Sequence, residues 1–165
     1  MISKACKYGI RAAVYVASRA GKGAKLNVKD IAKEVDAPEA FTAKILQTLN
    51  KHRIITSLKG PYGGFYIEDY QLEQPVINIV NAIDGMSVFW ECGLGLKKCS
   101  GTHPCPMHDK FKGAREAMRD VFQQTTIRQL AQELNEGTSF IKNPIYGPGL
   151  GREINKGRPG GTGEL

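Results

Sequence analysis

The chain has 165 residues, of which 41% are hydrophobic and 24% charged, and its formal net charge is +7. This length suits one ordinary domain, or one domain with an extension, that buries a core of its own. Its apolar runs are much shorter than the roughly 18–20 residues of a membrane span, which excludes a membrane-spanning protein. The first residues do not fit a signal peptide, because their apolar positions recur at helical spacing and Arg11 and Arg19 interrupt them. We therefore expect a cytoplasmic protein with no membrane partner.

The positive charge is concentrated at one end of the chain. Residues 1–60 contain 12 Lys and Arg against 4 Asp and Glu, whereas the remaining residues contain 11 against 12. A solvated basic face would explain such a bias without a binding partner. An electrostatic footprint for nucleic acid explains it better, because the charge is confined to one segment.

The first half of the chain contains three predicted helices. The first spans residues 3–19, and the second follows Asn27, whose side chain suits a helix N-cap. Residues 36–37 make a tight turn, after which a third helix spans residues 38–52 and starts with a proline in its first turn. Two helices joined by so short a turn indicate a helix-turn-helix.

A predicted β-hairpin follows these helices. Residues 54–56 and 65–67 are rich in β-branched and aromatic side chains, and they flank a turn that contains the sequence KGPYGG. A short helix over residues 75–84 completes a segment, residues 1–85, with the element order of a winged helix-turn-helix domain. The predicted fold class is therefore mainly α with a small β-hairpin, followed by a long C-terminal helix.

The third helix and the hairpin turn provide the predicted DNA-binding surface. The small residues on one face of the helix would let the backbone approach base edges, while its lysines and glutamine would donate hydrogen bonds. An ordinary amphipathic surface helix and a flexible turn are the alternatives. The predicted DNA-binding residues are Ala40, Ala43, Lys44, Gln47 and Lys51 in the helix and Lys59, Gly60, Pro61, Tyr62, Gly63 and Gly64 in the wing.

Residues 86–108 form a glycine-rich loop with metal-ligand chemistry. Cys92, Cys99 and Cys105 follow one another at gaps of six and five residues, and His108 comes three positions after the last cysteine. Thiolate and imidazole are ligands for zinc, copper(I) or iron–sulfur clusters. The wide spacing favours an iron–sulfur cluster, and zinc, a thiol redox switch and inert cysteines remain alternatives. Cys6 lies on the apolar side of the first helix, where we expect a buried thiol.

A long helix predicted over residues 107–124 contains the candidate dimer interface. The apolar stripe of this helix has more surface than one small chain is expected to bury on its own. A capping box at residues 126–129 starts a last helix that ends near residue 134, so residues 107–135 form the dimerisation segment. Residues 136–165 contain eight glycines and three prolines among 30 residues, which predicts a disordered tail. The stripe comprises Phe111, Ala114, Met118, Val121 and Phe122.

The chain resembles the Rrf2 family of winged-helix repressors. The resemblance spans residues 1–135 and depends on KYGIRA at residues 7–12, KGPYGG at residues 59–64, and the three-cysteine loop before a long helix. It implies a homodimer built on the long helix, palindromic double-stranded DNA targets, and an iron–sulfur cluster that changes DNA affinity. It also implies a transcription regulator, and we find no nucleophile–base constellation or phosphate loop that would indicate an enzyme.

Within that family, the loop is similar to an IscR-like arrangement. This arrangement implies a 2Fe–2S cluster bound by Cys92, Cys99, Cys105 and His108, with a 4Fe–4S cluster as the alternative. NsrR-like members take an acidic fourth ligand from the first helix, where this chain has Lys7, whose ammonium group cannot coordinate iron. Nitric oxide sensing and a zinc- or thiol-based winged-helix regulator remain the alternative functions.

Overall fold

A computed structural model describes residues 2–21 and 23–143 of the chain. Over these residues the fold is mainly helical with one two-stranded antiparallel sheet, as predicted. No helix in these ranges is long and apolar enough to cross a membrane. In chain order the elements are α1 (Lys4–Ser18), α2 (Val28–Val35), α3 (Glu39–Lys51), β1 (Thr56–Leu58), β2 (Gly64–Tyr66), α4 (Asp69–Leu72), α5 (Ile77–Ile83), a 3₁₀ helix (Met86–Phe89), α6 (His108–Gln124) and α7 (Ile127–Asn135).

The helix-turn-helix forms where local signals predict it. The Asn27 side chain caps α2 by accepting a hydrogen bond from the Asp30 amide at 2.8 Å. Asp36 ends α2 in the left-handed conformation, at φ 52°, and Pro38 then stands at the N-cap position of α3. The tight turn between α2 and α3 is therefore confirmed.

The main core lies around α1, which contacts α2, α3, α5 and α7. Each of these helices contributes side chains that are almost wholly shielded from solvent, among them Ile31, Leu46, Leu49, Ile79 and Ile127. Burial of such side chains contributes about 1.5–3 kcal/mol apiece, which makes this core the main source of stability for the N-terminal fold.

The hairpin is shifted from its predicted position. The first strand begins at Thr56 instead of residue 54, because Ile54 and Ile55 are each only 1% exposed and belong to the core. The Ile54 amide continues to donate to the Leu49 carbonyl, at 3.0 Å, which keeps this stretch attached to the end of α3. The strands pair in the register Thr56–Tyr66, Ser57–Phe65 and Leu58–Gly64.

Two short elements were not predicted from the sequence. The helical turn α4 begins with a capping box between Glu68 and Gln71, and the 3₁₀ helix precedes the cysteines. Gln71 is 1% exposed and donates from Nε2 to the Arg53 carbonyl at 3.0 Å, so it joins α4 to the end of α3. Such single turns depend on tertiary hydrogen bonds, and the sequence has no helical periodicity to reveal them.

Residues 86–124 extend away from the main core, and we call this segment the arm. We call residues 2–21, 23–85 and 125–135 the body. The return of the chain to the body is fixed by two backbone bonds, from the Val76 amide to the Thr125 carbonyl at 2.9 Å and from the Ile127 amide to the Gln74 carbonyl at 3.0 Å. Thr126 then starts α7 with the predicted capping box. Beyond α7, the Lys142 ammonium donates to the Lys33 carbonyl at 3.3 Å. The rest of the predicted tail, residues 144–165, lies outside the described residues.

Candidate metal centre and DNA-binding surface

The three loop cysteines converge in space. Their Sγ atoms all lie within 4.8 Å of one another, and those of Cys92 and Cys105 are 3.7 Å apart. Glycine helps to fold the loop back: the Gly95 amide donates to the Cys92 carbonyl at 2.8 Å, and Gly95 has φ 72°, a conformation that favours glycine. The chain thus brings together three sulfurs that are separated by up to thirteen residues.

His108 lies at the edge of this sulfur group. It is the first residue of α6, and its Nδ1 is 3.2 Å from the Cys99 Sγ. The Cys105 amide also approaches the Cys99 sulfur, at 3.4 Å. The partial positive charge at the N-terminus of a seventeen-residue helix favours anionic sulfur ligands nearby.

The loop alters the pKa values of two thiols. The backbone amides of Leu96 and Leu94 donate to the Cys92 sulfur and lower its pKa to about 7, which favours the thiolate that binds metals. At Cys99 the Cys105 amide lowers the pKa. Partial burial and the thiols of Cys105 and Cys92 raise it more, so the net shift is upward.

The donor set fits iron or zinc. With a metal–sulfur bond of about 2.3 Å, two thiolates on one tetrahedral ion stand about 3.8 Å apart. The 3.7 Å between Cys92 and Cys105 matches such an edge, and Cys99 with His108 forms a second close pair. The residues could therefore hold one tetrahedral ion, or two irons with a ligand pair on each.

Cys6 is separate from this group. It is completely buried and packs with Ile77, Val80 and Phe89 in a second apolar cluster beside the main core. Burial, with a smaller contribution from the Asp84 carboxylate, raises the pKa of the Cys6 thiol to about 12. The expectation of a buried thiol is confirmed.

The predicted recognition residues of α3 lie opposite its core-facing side. Thr42, Ile45, Leu46 and Leu49 are buried. On the other side, the exposed residues are Ala40, Lys44, Gln47 and Lys51. Ala43 lies on the same side and is half-buried. This face is therefore accessible to a duplex.

The tip of the wing is exposed. Lys59, Gly60 and Pro61 are exposed, and Tyr62 is 90% exposed, while Gly63 and Gly64 are half-buried. A Cβ on Gly63 would lie 2.1 Å from the Leu58 carbonyl oxygen, so a side chain there does not fit the hairpin. A Cβ on Gly64 would lie 2.8 Å from the Leu26 carbonyl oxygen, which is also too close. These two glycines therefore have a structural role in addition to any approach to DNA.

Leu26 is a wing residue that sequence reasoning missed. It exchanges two backbone hydrogen bonds with Phe65, at 2.9 and 2.7 Å, and so fixes the wing to the segment before α2. The one sequence signal is an apolar residue directly before the Asn27 cap, which is too weak to predict a β-bridge.

The apolar stripe on α6 is divided between two environments. Met118 and Phe122 pack on the cluster around Cys6, and the Phe122 ring centroid is 6.2 Å from that of Phe89. Phe111 is half-buried, Ala114 is exposed and Val121 is 63% exposed. None of the seventeen residues of α6 is fully buried within the chain.

The fold and these surfaces define a winged-helix DNA-binding regulator with a cysteine centre. The model of the Rrf2 family, described as "Iron-dependent Transcriptional regulator", matches residues 2–133, and the chain belongs to this family. It is a transcription regulator and not an enzyme.

Individual relatives agree with this assignment. A putative HTH-type transcriptional regulator of Aquifex aeolicus is 30% identical over 132 residues, covering 79% of this chain and 90% of the relative. CymR, the global cysteine regulator of B. subtilis, has a similar fold with a TM-score of 0.66 at 21% identity, covering 80% of this chain and 96% of CymR. T. potens IscR is similar at a TM-score of 0.65 and 18% identity, covering 84% of this chain and 91% of IscR.

Proposed function

We propose that this chain is a homodimeric regulator whose affinity for DNA changes with an iron–sulfur cluster bound by Cys92, Cys99, Cys105 and His108. The main support is the convergence of the three sulfurs within 4.8 Å, with the His108 Nδ1 in contact with Cys99. The fold likeness to T. potens IscR agrees with it. A 2Fe–2S cluster is favoured over a 4Fe–4S cluster, because His108 follows the three cysteines as in the IscR-like arrangement. When bound, the cluster supplies sensitivity to iron and to redox conditions.

The proposed DNA interface combines α3 with the wing. Lys44 and Gln47 are exposed and can donate to base edges in the major groove, while Ala40 and Ala43 leave room for close approach. Lys59 at the wing tip is placed to meet phosphate or the minor groove. A regulator that binds DNA would act in the cytoplasm.

The proposed dimer is formed through α6. A helix with no fully buried residue and with Val121 63% exposed is incompletely covered by the part of the chain that the structure describes. A second copy would cover it, and a two-fold dimer would pair with a palindrome whose half-sites lie about one or two helical turns apart.

The proposed coupling follows from the position of His108. This residue is both a candidate ligand and the first residue of α6, so gaining or losing the cluster would reorder the loop and the start of the dimer helix. The two recognition helices would then change their spacing. Switches of this kind have coupling free energies of about 1–3 kcal/mol.

Anaerobic purification tests the cluster. We expect a coloured protein with iron and acid-labile sulfide in similar amounts, and a dimer by sedimentation at micromolar concentration. Val121→Glu should dissociate the dimer, whereas Lys112→Glu on another exposed position of α6 should not. Stoichiometric zinc without sulfide, from cells with ample iron, would instead identify a zinc-stapled regulator, since one tetrahedral ion fits the same residues.

A further inference from the structure

A cleft of about 550 Å³ lies beside the cysteine loop, between the start of α1, the end of α5, the 3₁₀ helix and α6. Its volume falls within the range of small-molecule sites. The lining combines apolar side chains with a few charged ones, as such sites do. The residues relevant here are Val88, Phe111 and Met118 on the apolar side, and Asp84, Glu91 and Arg115 on the polar side.

Arg115, which lines this cleft, has a buried side-chain nitrogen, Nε, without a hydrogen-bond partner among the described residues. An unsatisfied buried donor costs about 1–3 kcal/mol, and more when the group is charged. Because Arg115 lines the cleft and a guanidinium binds carboxylates through two parallel hydrogen bonds, a carboxylate is the ligand group that best fits this side chain.

The two carboxylates of the cleft differ in their availability. Asp84 already accepts hydrogen bonds from Ser3, from the backbone amide at 2.6 Å and from the hydroxyl. Glu91 is exposed, and its backbone amide donates to the Ser87 carbonyl of the 3₁₀ helix at 2.8 Å, which leaves its carboxylate available to a ligand. A simple anion would be repelled by these acids, whereas a ligand with an ammonium group could also satisfy Glu91.

We propose that this cleft binds a small aliphatic amino acid. The ligand carboxylate pairs with Arg115, its ammonium group faces Glu91, and its side chain packs against Val88, Phe111 and Met118. Binding itself does not require the proposed cluster. Its regulatory consequence rests on the proposed function, because Cys92 lines the same cleft and Met118 belongs to the α6 stripe. An occupied cleft would therefore act on the cysteine loop and on the dimer helix together.

The test compares three probes that share the isobutyl group of leucine. L-Leucine has both charged groups, 4-methylpentanoate lacks the ammonium, and 3-methylbutylamine lacks the carboxylate. Each is titrated into the full-length protein by calorimetry, and the fluorescence of Trp90, the single tryptophan, is followed in parallel because it precedes Glu91. We expect saturable binding of leucine, roughly tenfold weaker binding of 4-methylpentanoate, and no binding of the amine.

Substitutions separate the two ends of the ligand. Arg115→Gln should weaken leucine binding at least about tenfold, and Arg115→Lys should retain part of it. Glu91→Gln should remove the difference between leucine and 4-methylpentanoate. Arg119→Gln is the matched control, since Arg119 lies one turn away and pairs with the neighbouring Asp120 at 3.3 Å. Thermal melts confirm that each variant is folded.

The absence of saturable leucine binding, or leucine binding unchanged by Arg115→Gln, would overturn the proposal. If no probe binds and Arg115→Gln dissociates the dimer in sedimentation, a carboxylate of a second subunit fills the cleft, which also overturns it. Iron, sulfide and DNA binding are measured on the same preparations. Loss of those properties with leucine binding intact would count against the proposed function and leave this inference standing.

Discussion

The body and the arm differ in how completely each buries its apolar side chains and pairs its buried polar groups. In the body, α1, α2, α3, α5 and α7 each bury residues in a common core, and buried polar groups such as Gln71 have partners. In the arm, α6 buries no residue fully, Trp90, Leu94 and Leu96 are each more than half exposed, and the Arg115 Nε has no partner among the described residues. The body thus buries most of its own core, whereas the arm leaves sulfur donors and apolar side chains exposed, as the proposed metal centre, dimer and ligand site would require.

The largest expected effect concerns the two kinds of cysteine. Cys105→Ala should remove the cluster completely, because a loop with so few ligands cannot hold it with one missing. Cys6→Ala should keep the cluster, since Cys6 is completely buried and is not one of the three cysteines whose sulfurs converge. Iron and sulfide analysis after anaerobic purification measures both. Cluster loss in Cys6→Ala with an unchanged thermal melt would contradict the separation between body and arm.

Thiol reactivity provides a second contrast. A pKa raised to about 12 leaves the Cys6 thiol protonated at pH 8, with a thiolate fraction about 1,000-fold below that of an ordinary cysteine. Iodoacetamide should therefore label the three loop cysteines of the metal-free protein and leave Cys6 unlabelled, as read by peptide mass spectrometry. Denatured protein, in which all four cysteines should react, is the control.

The sign of the pH dependence follows from the same shift. Because the folded pKa of Cys6 lies above its ordinary value of 9.0, the folded state loses stability as the pH rises above about 9 and the unfolded chain ionises first. In the iodoacetamide experiment, preferential labelling of Cys6 over the loop cysteines of the folded protein would contradict both the burial of Cys6 and its raised pKa.

Stability should distinguish the two regions at the level of single side chains. Leu46→Ala, at a completely buried position of α3, should lower the free energy of unfolding by about 2–5 kcal/mol. Val121→Ala, at an exposed position of α6, should change it by less than about 0.5 kcal/mol when measured below the dimer dissociation constant. Urea denaturation followed by circular dichroism measures both. Equal losses would show that α6 is part of the folding core of the monomer.

The smallest expected effects are at the DNA surface of the body. Gln47→Ala should cost on the order of 1–3 kcal/mol on the best target and relax the preference at particular base pairs. Lys59→Ala should weaken all sequences alike and reduce the salt slope by about one. Fluorescence anisotropy over a range of salt concentrations measures both effects, with Lys112→Ala as a control on α6. A uniform effect of Gln47→Ala across sequences would argue against base reading.

The sequence predicted what local signals determine. The Asn27 cap, the turn at Asp36 and the capping box at Thr126 each lie within a few residues of the element that they start or end, and all three predictions were confirmed. The start of β1 was wrong, because the burial of Ile54 and Ile55 outweighs their β propensity. Tertiary packing decided that point, and the hydrophobic pattern does not record it.

The site was also predictable only in part, because tertiary packing sets its geometry. Spacing and residue type identified the ligand candidates, but the 3.7 Å between Cys92 and Cys105 depends on how the loop folds. The cleft beside Arg115 joins segments that are distant in sequence, from Ser3 to Met118, and no local pattern indicates it. The double role of Gly63 and Gly64 likewise became visible only when the approach of the Leu58 and Leu26 backbones was known.

We propose that the state of the arm controls DNA binding by the body. One titration tests this coupling: a specific palindromic duplex against cluster-loaded and cluster-free protein at one fixed salt concentration. We predict affinities that differ by the equivalent of about 1–3 kcal/mol. Identical affinities for a genuine target, with cluster occupancy confirmed by iron and sulfide analysis, would contradict it and leave a DNA-binding protein whose cluster is structural.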